Sequence, residues 1–570
     1  MYAADAPGIG EGVISVASFD NETANLASFT VSPDNRRIGY LVATGSPIVP
    51  TDGSAPLART GNAGSPADAC TPLQPGSLAG KVALVRRGTC GFPGKAANVQ
   101  AAGAIGAVIY NNVPGRISLT VSGGPAITIP VVSISAADGV VLDTRLAAGP
   151  VTFTWTADAI SEAQATASLI SSFSSFGPSP DLGIKPDLGA PGGAIRSTLP
   201  IERGSFGTIS GTSMAAPYVA GAIALLLEAQ PGLSASDVLA RLQNTAKPRP
   251  WSGNPTIGVR ELVHRQGAGL ISVGDAVKTA VEITPSRLPL GEFETPLGVV
   301  RSVHLAGLKS ASRGDRAIHK HGEEWHDDPT CDVVSYRPGH EPAGATASPT
   351  FSPKVLAAAA TVEFSDTAIT IGGDHGDGDI NVLISPPTDG DSRLFGGYLT
   401  FTPDDGGPVL RVPYLGYNGD YQAIPALTPA GVGFPWLAKL TGSSLTRRGD
   451  STASCGSPAA VFTFAAGDSP FVVFHLDHQV ERLHAEIIDA TTGLAYGLID
   501  EQEYVGRNSS PTSFFLLSWN GTRVRKPGKP AVPVPNGCYQ IELTALKPGG
   551  HKRVPGNQDR WLSPAFWVSR

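Results

Sequence analysis

One serine lies in a run of small residues whose spacing could support nucleophilic chemistry. Ser213 follows Gly211 and Thr212 and precedes an apolar segment to about residue 229, which the pattern predicts as a buried helix. A helix N-terminus presents unpaired N–H groups and a partial positive charge. The backbone N–H of Ser213 would therefore stabilise an oxyanion beside it, and Gly211 allows a tight turn that exposes the hydroxyl. The alternative is a helix cap, in which Ser213 or Thr212 only satisfies orphan N–H groups.

Three motifs in this order resemble those of the subtilase family of serine proteases. They are KPDLGAPG at residues 185–192, GTSMAAP at 211–217 and QGAGLISVGDA at 266–276. The resemblance covers about residues 1–281 and implies a doubly wound, mainly parallel α/β core. It also implies polypeptide substrates, hydrolysed through an acyl-enzyme on Ser213, with Gly211 and Thr212 shaping the oxyanion side. It implies no catalytic cofactor and leaves a structural calcium ion open.

The residues that should activate the serine are not found in their expected place. In subtilases the catalytic Asp and His precede the serine, yet this chain has no His before His264. Residues 8–21 resemble the strand after the family's oxyanion-hole Asn, which places all three motifs upstream of Met1. We therefore expect a truncated gene model or a fragment, inactive alone; the alternative is a non-catalytic remnant that binds polypeptides or a cell surface. His264 is predicted to be a structural or surface residue.

A second resemblance covers a segment inside the subtilase-like region. Residues 80–112 have the pattern of a strand, a turn, an Ala-rich helix at 93–102 and another strand. GKVALVRRG at 80–88 and AAGA at 101–104 resemble the protease-associated (PA) domain. The predicted core is therefore split into 1–28 and 152–281 by a PA insert at 29–151.

Beyond residue 281 the pattern becomes all-β. Residues 361–371 alternate between apolar and polar types, and VPYLGYNGDY at 412–421 resembles the fibronectin-III-like domain that follows the catalytic domain of large cell-envelope and fungal subtilases. We predict a β-sandwich at 282–425 and a second β-rich domain at 426–570. The fold class is thus multidomain: a partial α/β core with an α/β insert, followed by all-β sandwich domains.

Composition limits the function classes. The 570 residues include 68 Gly and 49 Pro, with 16% charged residues and a formal net charge of −7, which favours several domains of short strands and gives no basic face for nucleic acid. No run of 18 apolar residues is present, so no membrane span is predicted, and the first 12 residues do not resemble a signal peptide. Nothing in the composition fixes an oligomeric state.

Cysteines and sequons agree with the extracellular or cell-wall location that the family implies. Cys70 and Cys90 lie within one compact module and are predicted to pair. Of the other three cysteines, Cys455 and Cys538 form the second candidate bridge, which would leave Cys331 free or paired between chains. The candidate glycosylation sites are Asn21, Asn508 and Asn520.

Two charged clusters could suggest a metal ion, but we predict no metal at either. HKHGEEWHDD at 319–328 has no fixed ligand spacing and is interpreted as a solvated insertion. The second cluster lacks the Glu that closes a calcium loop and is interpreted as a turn. It consists of Asp374, His375, Asp377 and Asp379.

Overall fold

The computed structural model describes most of the chain in two compact units. One unit contains residues up to 17, 173–189 and those from 221 onwards; the other contains 18–172 and 190–220. The described residues are 7–10, 12–203, 205–308, 334–342, 346–347, 360–371, 376–388, 392–427, 433–441, 444–450, 452–465, 467–508, 513–524 and 530–570. The predicted insertion at 319–328, Cys331, Asp374 and His375 lie outside them.

The second unit contains a closed barrel, whose strands follow the order β2-β3-β7-β6-β5-β4-β8. Its core includes three packed aromatic rings: the ring centroid of Phe153 lies 4.4 Å from that of Phe29 and 4.5 Å from that of Trp155. Helix α2 packs so closely on β6 that a Cβ at Gly139 would lie 2.2 Å from the Tyr110 ring. The elements are β1 Val16–Asp20, β2 Thr23–Val31, β3 Arg36–Val42, β4 Ser54–Arg59, β5 Val82–Arg86, α1 Phe92–Ala101, β6 Gly106–Tyr110, β7 Val131–Ile134, α2 Ala136–Ala148 and β8 Val151–Ala163.

The barrel strands run past the predicted insert of 29–151 at both ends, since β2 and β8 pair with each other from Thr23 to Ala163. The helix predicted at 93–102 begins and ends one residue earlier. A disulfide joins Cys70 to Cys90, with the Cα atoms 5.7 Å apart. A second disulfide joins Cys455 to Cys538.

The segment that carries the motifs contains fewer strands than expected. Among the described residues β1 pairs with β9 alone, so the predicted doubly wound sheet is reduced to this pair. Such a sheet needs several strands linked by crossover helices, but the chain between β1 and β9 folds into the barrel. The elements are β9 Leu188–Gly193, β10 Ile195–Thr198, a 3-10 turn Ile201–Arg203, β11 Phe206–Ile209, α3 Thr212–Ala229, α4 Ala235–Asn244, a 3-10 turn Pro255–Ile257, α5 Val263–Gln266 and α6 Val273–Lys278.

The region after α6 is a sandwich of two sheets, ordered β12-β14-β19-β17 and β13-β21-β20-β15-β18. Their inner faces bury Ile283 and Val382 on one side and Leu399 and Val412 on the other. The elements are β12 Val281–Thr284, β13 Leu288–Phe293, β14 Val299–Gly307, β15 Val334–Pro342, β16 Thr346–Ala347, β17 Thr361–Phe364, β18 Ile369–Ile371, β19 Asp377–Ser385, β20 Arg393–Pro403, β21 Leu410–Asn418 and a 3-10 turn Tyr421–Ala423.

Two predictions in this sandwich are wrong in detail. The alternating segment 361–371 is not one strand, because β17 and β18 belong to opposite sheets and the chain crosses between them. Asp377 and Asp379, predicted to lie in a turn, belong to β19, where Asp379 Oδ1 lies 3.0 Å from His304 Nδ1. The period-2 pattern shows which residues face inward but not where a strand changes sheet.

The last region also consists of two sheets, ordered β23-β22-β25-β28 and β24-β33-β31-β26-β27. Val472 from the first packs in one core with Ile541 and Phe566 from the second. The elements are β22 Trp436–Thr441, β23 Ser444–Arg447, β24 Val461–Phe462, β25 Pro470–Phe474, β26 Val480–Asp489, β27 Leu494–Val505, β28 Phe515–Ser518, β29 Thr522–Arg523, β30 Val532–Pro533, β31 Gly537–Leu546, a 3-10 turn Pro555–Asn557, β32 Gln558–Leu562 and β33 Phe566–Val568.

A buried carboxylate in the KPD motif ties three distant parts of the chain together. Asp187 has no exposed surface; its Oδ2 accepts from the Ser15 N–H at 2.8 Å and from Lys185 Nζ at 2.8 Å. Its Oδ1 accepts from Arg287, which precedes β13 of the sandwich. The Lys185 ammonium also donates to the Val13 carbonyl. The first sandwich is therefore connected by an ion pair to the segment that leads to β9.

We predict that Asp187→Asn destabilises the chain by about 3–5 kcal/mol, because it leaves the buried Lys185 ammonium and the half-buried Arg287 guanidinium without their counter-charge. The matched control is Asp158→Asn, which removes an exposed ion pair with Arg37 at 2.6 Å and should cost about 1 kcal/mol or less. Urea unfolding monitored by fluorescence measures the free energy of unfolding of each variant, and hydrogen exchange measures the local stability of β9. Equal losses in the two variants would contradict the assigned role of Asp187.

Candidate active site

A close backbone contact fixes the position of the loop that precedes Ser213, the candidate nucleophile. The Gly211 N–H donates to the Gly192 carbonyl at 2.8 Å. A Cβ at Gly192 would lie 2.6 Å from the Gly211 carbonyl oxygen and 2.4 Å from Ser18 Oγ, so a larger residue does not fit. The Ser210 hydroxyl accepts from the Ala194 N–H at 2.8 Å, which adds a second link between the two segments. Small residues at these positions thus allow β9 and the loop to approach.

Ser213 is the second residue of α3 and its side chain is exposed. Its backbone N–H belongs to the first turn, where helical N–H groups have no intrahelical acceptor. The Met214 N–H turns back to the Gly211 carbonyl at 3.0 Å, which fixes the start of the helix. Within the described residues no group accepts from or donates to the Ser213 hydroxyl. Gly211 and Thr212 are thus half-buried at the start of the helix and Ser213 is exposed, and no base lies beside its hydroxyl in the part of the chain that the structure describes.

A half-buried carboxylate that the sequence reasoning missed supports the same region. Asp20, at the end of β1, accepts from Thr166 Oγ1 at 2.5 Å and from Ser171 Oγ at 2.6 Å. A Cβ at Gly193 would lie 2.1 Å from Asp20 Oδ1. Burial raises the pKa of Asp20, while the two hydroxyl groups act in the opposite direction. The sequence feature that could have identified Asp20 is its position as an acidic residue at the end of an apolar strand.

His264 is a structural residue, and the surface alternative is excluded. Only 2% of it is exposed, and its ring packs on Phe176 with the centroids 6.2 Å apart. Burial, with help from the charges of Arg265 and Arg507, lowers the pKa of His264 to about 3. An enclosed imidazole of such low basicity does not serve as the base for an exposed hydroxyl.

The helix that follows Ser213 is exposed over much of its surface, contrary to the expectation of a buried helix. Tyr218 is 50% exposed, Leu225 56% and Leu227 39%. The described residues supply no cover for this side, although the apolar sequence calls for it. By length and composition α3 could also cross a membrane, the one such helix in the described part of the chain. That is weak support for a span, because core helices of soluble proteins meet the same two conditions.

The other candidate positions lie away from this turn in sequence and differ in exposure. Asn520 is exposed, whereas Asn21 and Asn508 are half-buried. The Asn508 Oδ1 accepts from the Leu476 N–H at 2.7 Å. In the described part of the chain no three His, Cys, Asp or Glu side chains are grouped so as to hold a metal ion.

Comparison with known proteins finds a family similarity in the first half of the chain. Residues 2–269 match the sequence model of the Subtilase family. This region contains both pieces of the motif-bearing segment, the barrel between them and the turn of Ser213. Residues 2–269 are therefore similar in sequence to subtilisin-like serine proteases.

Among curated relatives, the chain is 37% identical over 221 residues to the minor extracellular protease Vpr of Bacillus subtilis, which covers 38% of this chain and 26% of that protein. It is 26% identical to the PII-type proteinase of Lactococcus lactis subsp. cremoris, over 96% of this chain and 30% of that protein. The chain thus spans less than a third of either relative. Among solved structures, the subtilisin-like protease Apa1 of Pseudoalteromonas sp. AS-11 covers 48% of this chain and 60% of its own at 20% identity, with a TM-score of 0.25.

We predict that Gly192→Ala destabilises the chain by about 1–3 kcal/mol, since its Cβ meets backbone and Ser18. Gly221→Ala in α3 is the matched control: its Cβ meets no atom within 4 Å, and the change should stabilise the helix by about 1 kcal/mol. Thermal unfolding of both variants measures these changes in stability. A neutral Gly192→Ala would mean that the loop is free to move away from β9.

Proposed function

We propose that this chain carries the nucleophile-bearing part of a serine endopeptidase and that Ser213 is its nucleophile. The observation that carries the proposal is the exposed hydroxyl at the start of α3, on a turn held by the contact of Gly211 with Gly192, within the stretch matched to the Subtilase family. Polypeptides are the proposed substrates. Gly211 and Thr212 are proposed to shape the side of the site on which the oxyanion forms.

The proposed reaction is acyl transfer to Ser213 followed by hydrolysis. The Oγ attacks the peptide carbonyl carbon while a base takes its proton, and the carbonyl oxygen becomes an oxyanion facing the Ser213 N–H. Collapse of this intermediate breaks the C–N bond, and the amine leaves with the proton from the base. Water then attacks the acyl-enzyme in the same manner and releases the acid.

The base and its orienting carboxylate are proposed to come from polypeptide outside the described residues, packed on the exposed side of α3. Two observations support this: no basic group lies at the Ser213 hydroxyl in the described part of the chain, and Tyr218 and Leu225 are half exposed on an apolar helix. Without these groups, subtilisin-type sites retain roughly 10³- to 10⁴-fold catalysis over water, from the oxyanion hole and substrate binding. The chain alone is accordingly proposed to be nearly inactive.

The remaining regions receive proposed roles from the resemblances. The barrel from Thr23 to Ala163 is proposed to be the PA-type insert, which would extend the substrate cleft, and the sandwich of β12 to β21 to be fibronectin-III-like. An extracellular or cell-wall location is proposed, supported by the two disulfides and by the name of the Vpr protease. Of the three sequons, Asn520 is the best placed for a glycan because it is exposed.

We predict that residues 1–570 react slowly with a fluorophosphonate probe, that added imidazole as an external base increases the rate, and that Ser213→Ala abolishes the reaction. The matched control is Ser236→Ala, because Ser236 is also the exposed second residue of a helix, α4. It should leave labelling unchanged. In-gel fluorescence and mass spectrometry of the labelled peptide measure rate and position.

Labelling that persists in Ser213→Ala would overturn the assignment of the nucleophile. The absence of labelling at every imidazole concentration would likewise reject it and favour a non-catalytic binding protein. Fast labelling without imidazole would show that a base is already present and would reject the proposed external source.

A further inference from the structure

A cavity of about 440 Å³ lies in the last β-rich region, far along the chain from Ser213. Its walls come from β27 and β28, each of which is the last strand of its sheet. The turn between Trp519 and Val524 and the residue Ala531 contribute the rest. The polar side chains in the lining are Asp500, Gln502, Ser518, Asn520, Thr522 and Arg523.

The unusual member of this lining is Arg523, which is only 8% exposed. Its guanidinium lies on the ring of Tyr496, with Cζ 3.4 Å from the ring centroid, and Nη1 donates to the Tyr496 carbonyl. Nε has no hydrogen-bond acceptor. No carboxylate of the described residues lies within ion-pair distance of the group. Nε is itself buried, so a carboxylate in the cavity would reach the guanidinium at Nη2, which has no acceptor among the described residues.

The surroundings hold Arg523 in this position. A Cβ at Gly497 would lie 3.1 Å from the Arg523 Cβ, so the bare backbone of β27 makes room for the side-chain stem. The Trp519 Nε1 donates to the Thr522 carbonyl at 2.6 Å, and Thr522 Oγ1 donates to Asn520 Oδ1 at 2.6 Å. The turn that presents the guanidinium is thus rigid, which lowers the entropy cost of binding a ligand.

A buried guanidinium with one carbonyl acceptor is costly, and a carboxylate from a ligand would offset that cost. We propose that this cavity binds an acidic side chain of a polypeptide in extended conformation, with Arg523 as its anion-binding residue. The extended form follows from β28, whose outer edge has no strand partner among the described strands and offers N–H and C=O groups to an added strand. The proposal does not depend on the chemistry of Ser213.

One like charge opposes the ligand in the same cavity. The Asp500 carboxylate lines the wall, where it accepts from the Glu501 N–H at 3.0 Å and from Gln502 Nε2 at 2.8 Å. It weakens the attraction of an acidic peptide without forming an ion pair with Arg523. Removal of the Arg523 charge and removal of the Asp500 charge should therefore change the affinity for an acidic peptide in opposite directions.

The test uses residues 1–570 with Ser213→Ala, so that no peptide is cleaved, and follows fluorescence anisotropy of a labelled, blocked pentapeptide that alternates Thr and Val around a central Glu. The comparison peptide has Gln in the centre. We expect the Glu peptide to bind at least about tenfold more tightly, Arg523→Gln to remove that difference, and Asp500→Asn to strengthen Glu-peptide binding about two- to fivefold.

Equal binding of the two peptides, or no binding of either up to about 1 mM, would overturn the proposal. If Arg523→Gln unfolds the region, Asp500→Asn still decides, because unchanged or weaker Glu-peptide binding in that variant contradicts a carboxylate ligand here. Displacement of the peptide by an equal concentration of sulfate would reject the polypeptide assignment in favour of a general anion site. A failed labelling of Ser213 has no bearing on any of these outcomes.

Discussion

The buried Asp187 carboxylate is the constraint from which the arrangement of the motif-bearing segment follows. A charge with no exposed surface is tolerated only where donors surround it, and here they come from Ser15, Lys185 and Arg287. Each donor belongs to a different stretch of chain, and Arg287 lies between β12 and β13 of the sandwich. Because all three donate to one carboxylate, the segment that leads to β9 is held by residues that a linear list of domains would place apart.

A separate constraint, the close approach of backbone at a glycine, acts in the unit that carries Ser213. Gly192 can accept from Gly211 because it has no side chain: its Cβ would lie 2.6 Å from the Gly211 carbonyl oxygen. The turn that presents Ser213 is therefore determined by steric fit and a backbone hydrogen bond. At this turn the first N–H groups of α3 carry the partial positive charge of a helix N-terminus, which lies beside Ser213.

The sequence predicted the local features whose causes are local. The helix starting at Thr212 and the cysteine pairing of Cys70 with Cys90 depend on nearby residues, and each is present in the structure. The sequence could not predict that β17 and β18 lie in opposite sheets or that α3 is exposed, because both depend on what packs against the element. Asp20 was missed for the same reason: its Thr166 and Ser171 donors follow the whole barrel.

Asp187 and Arg523 show how one rule separates a structural charge from a candidate binding group. Both are buried, but both oxygens of Asp187 accept from cations of the chain, whereas Arg523 keeps one edge of its guanidinium without an acceptor. The desolvation of Asp187 is compensated within the chain, so its removal should affect stability. The desolvation of Arg523 is compensated only in part, by a ring and one carbonyl, which is why we assign the missing interaction to a ligand in the cavity.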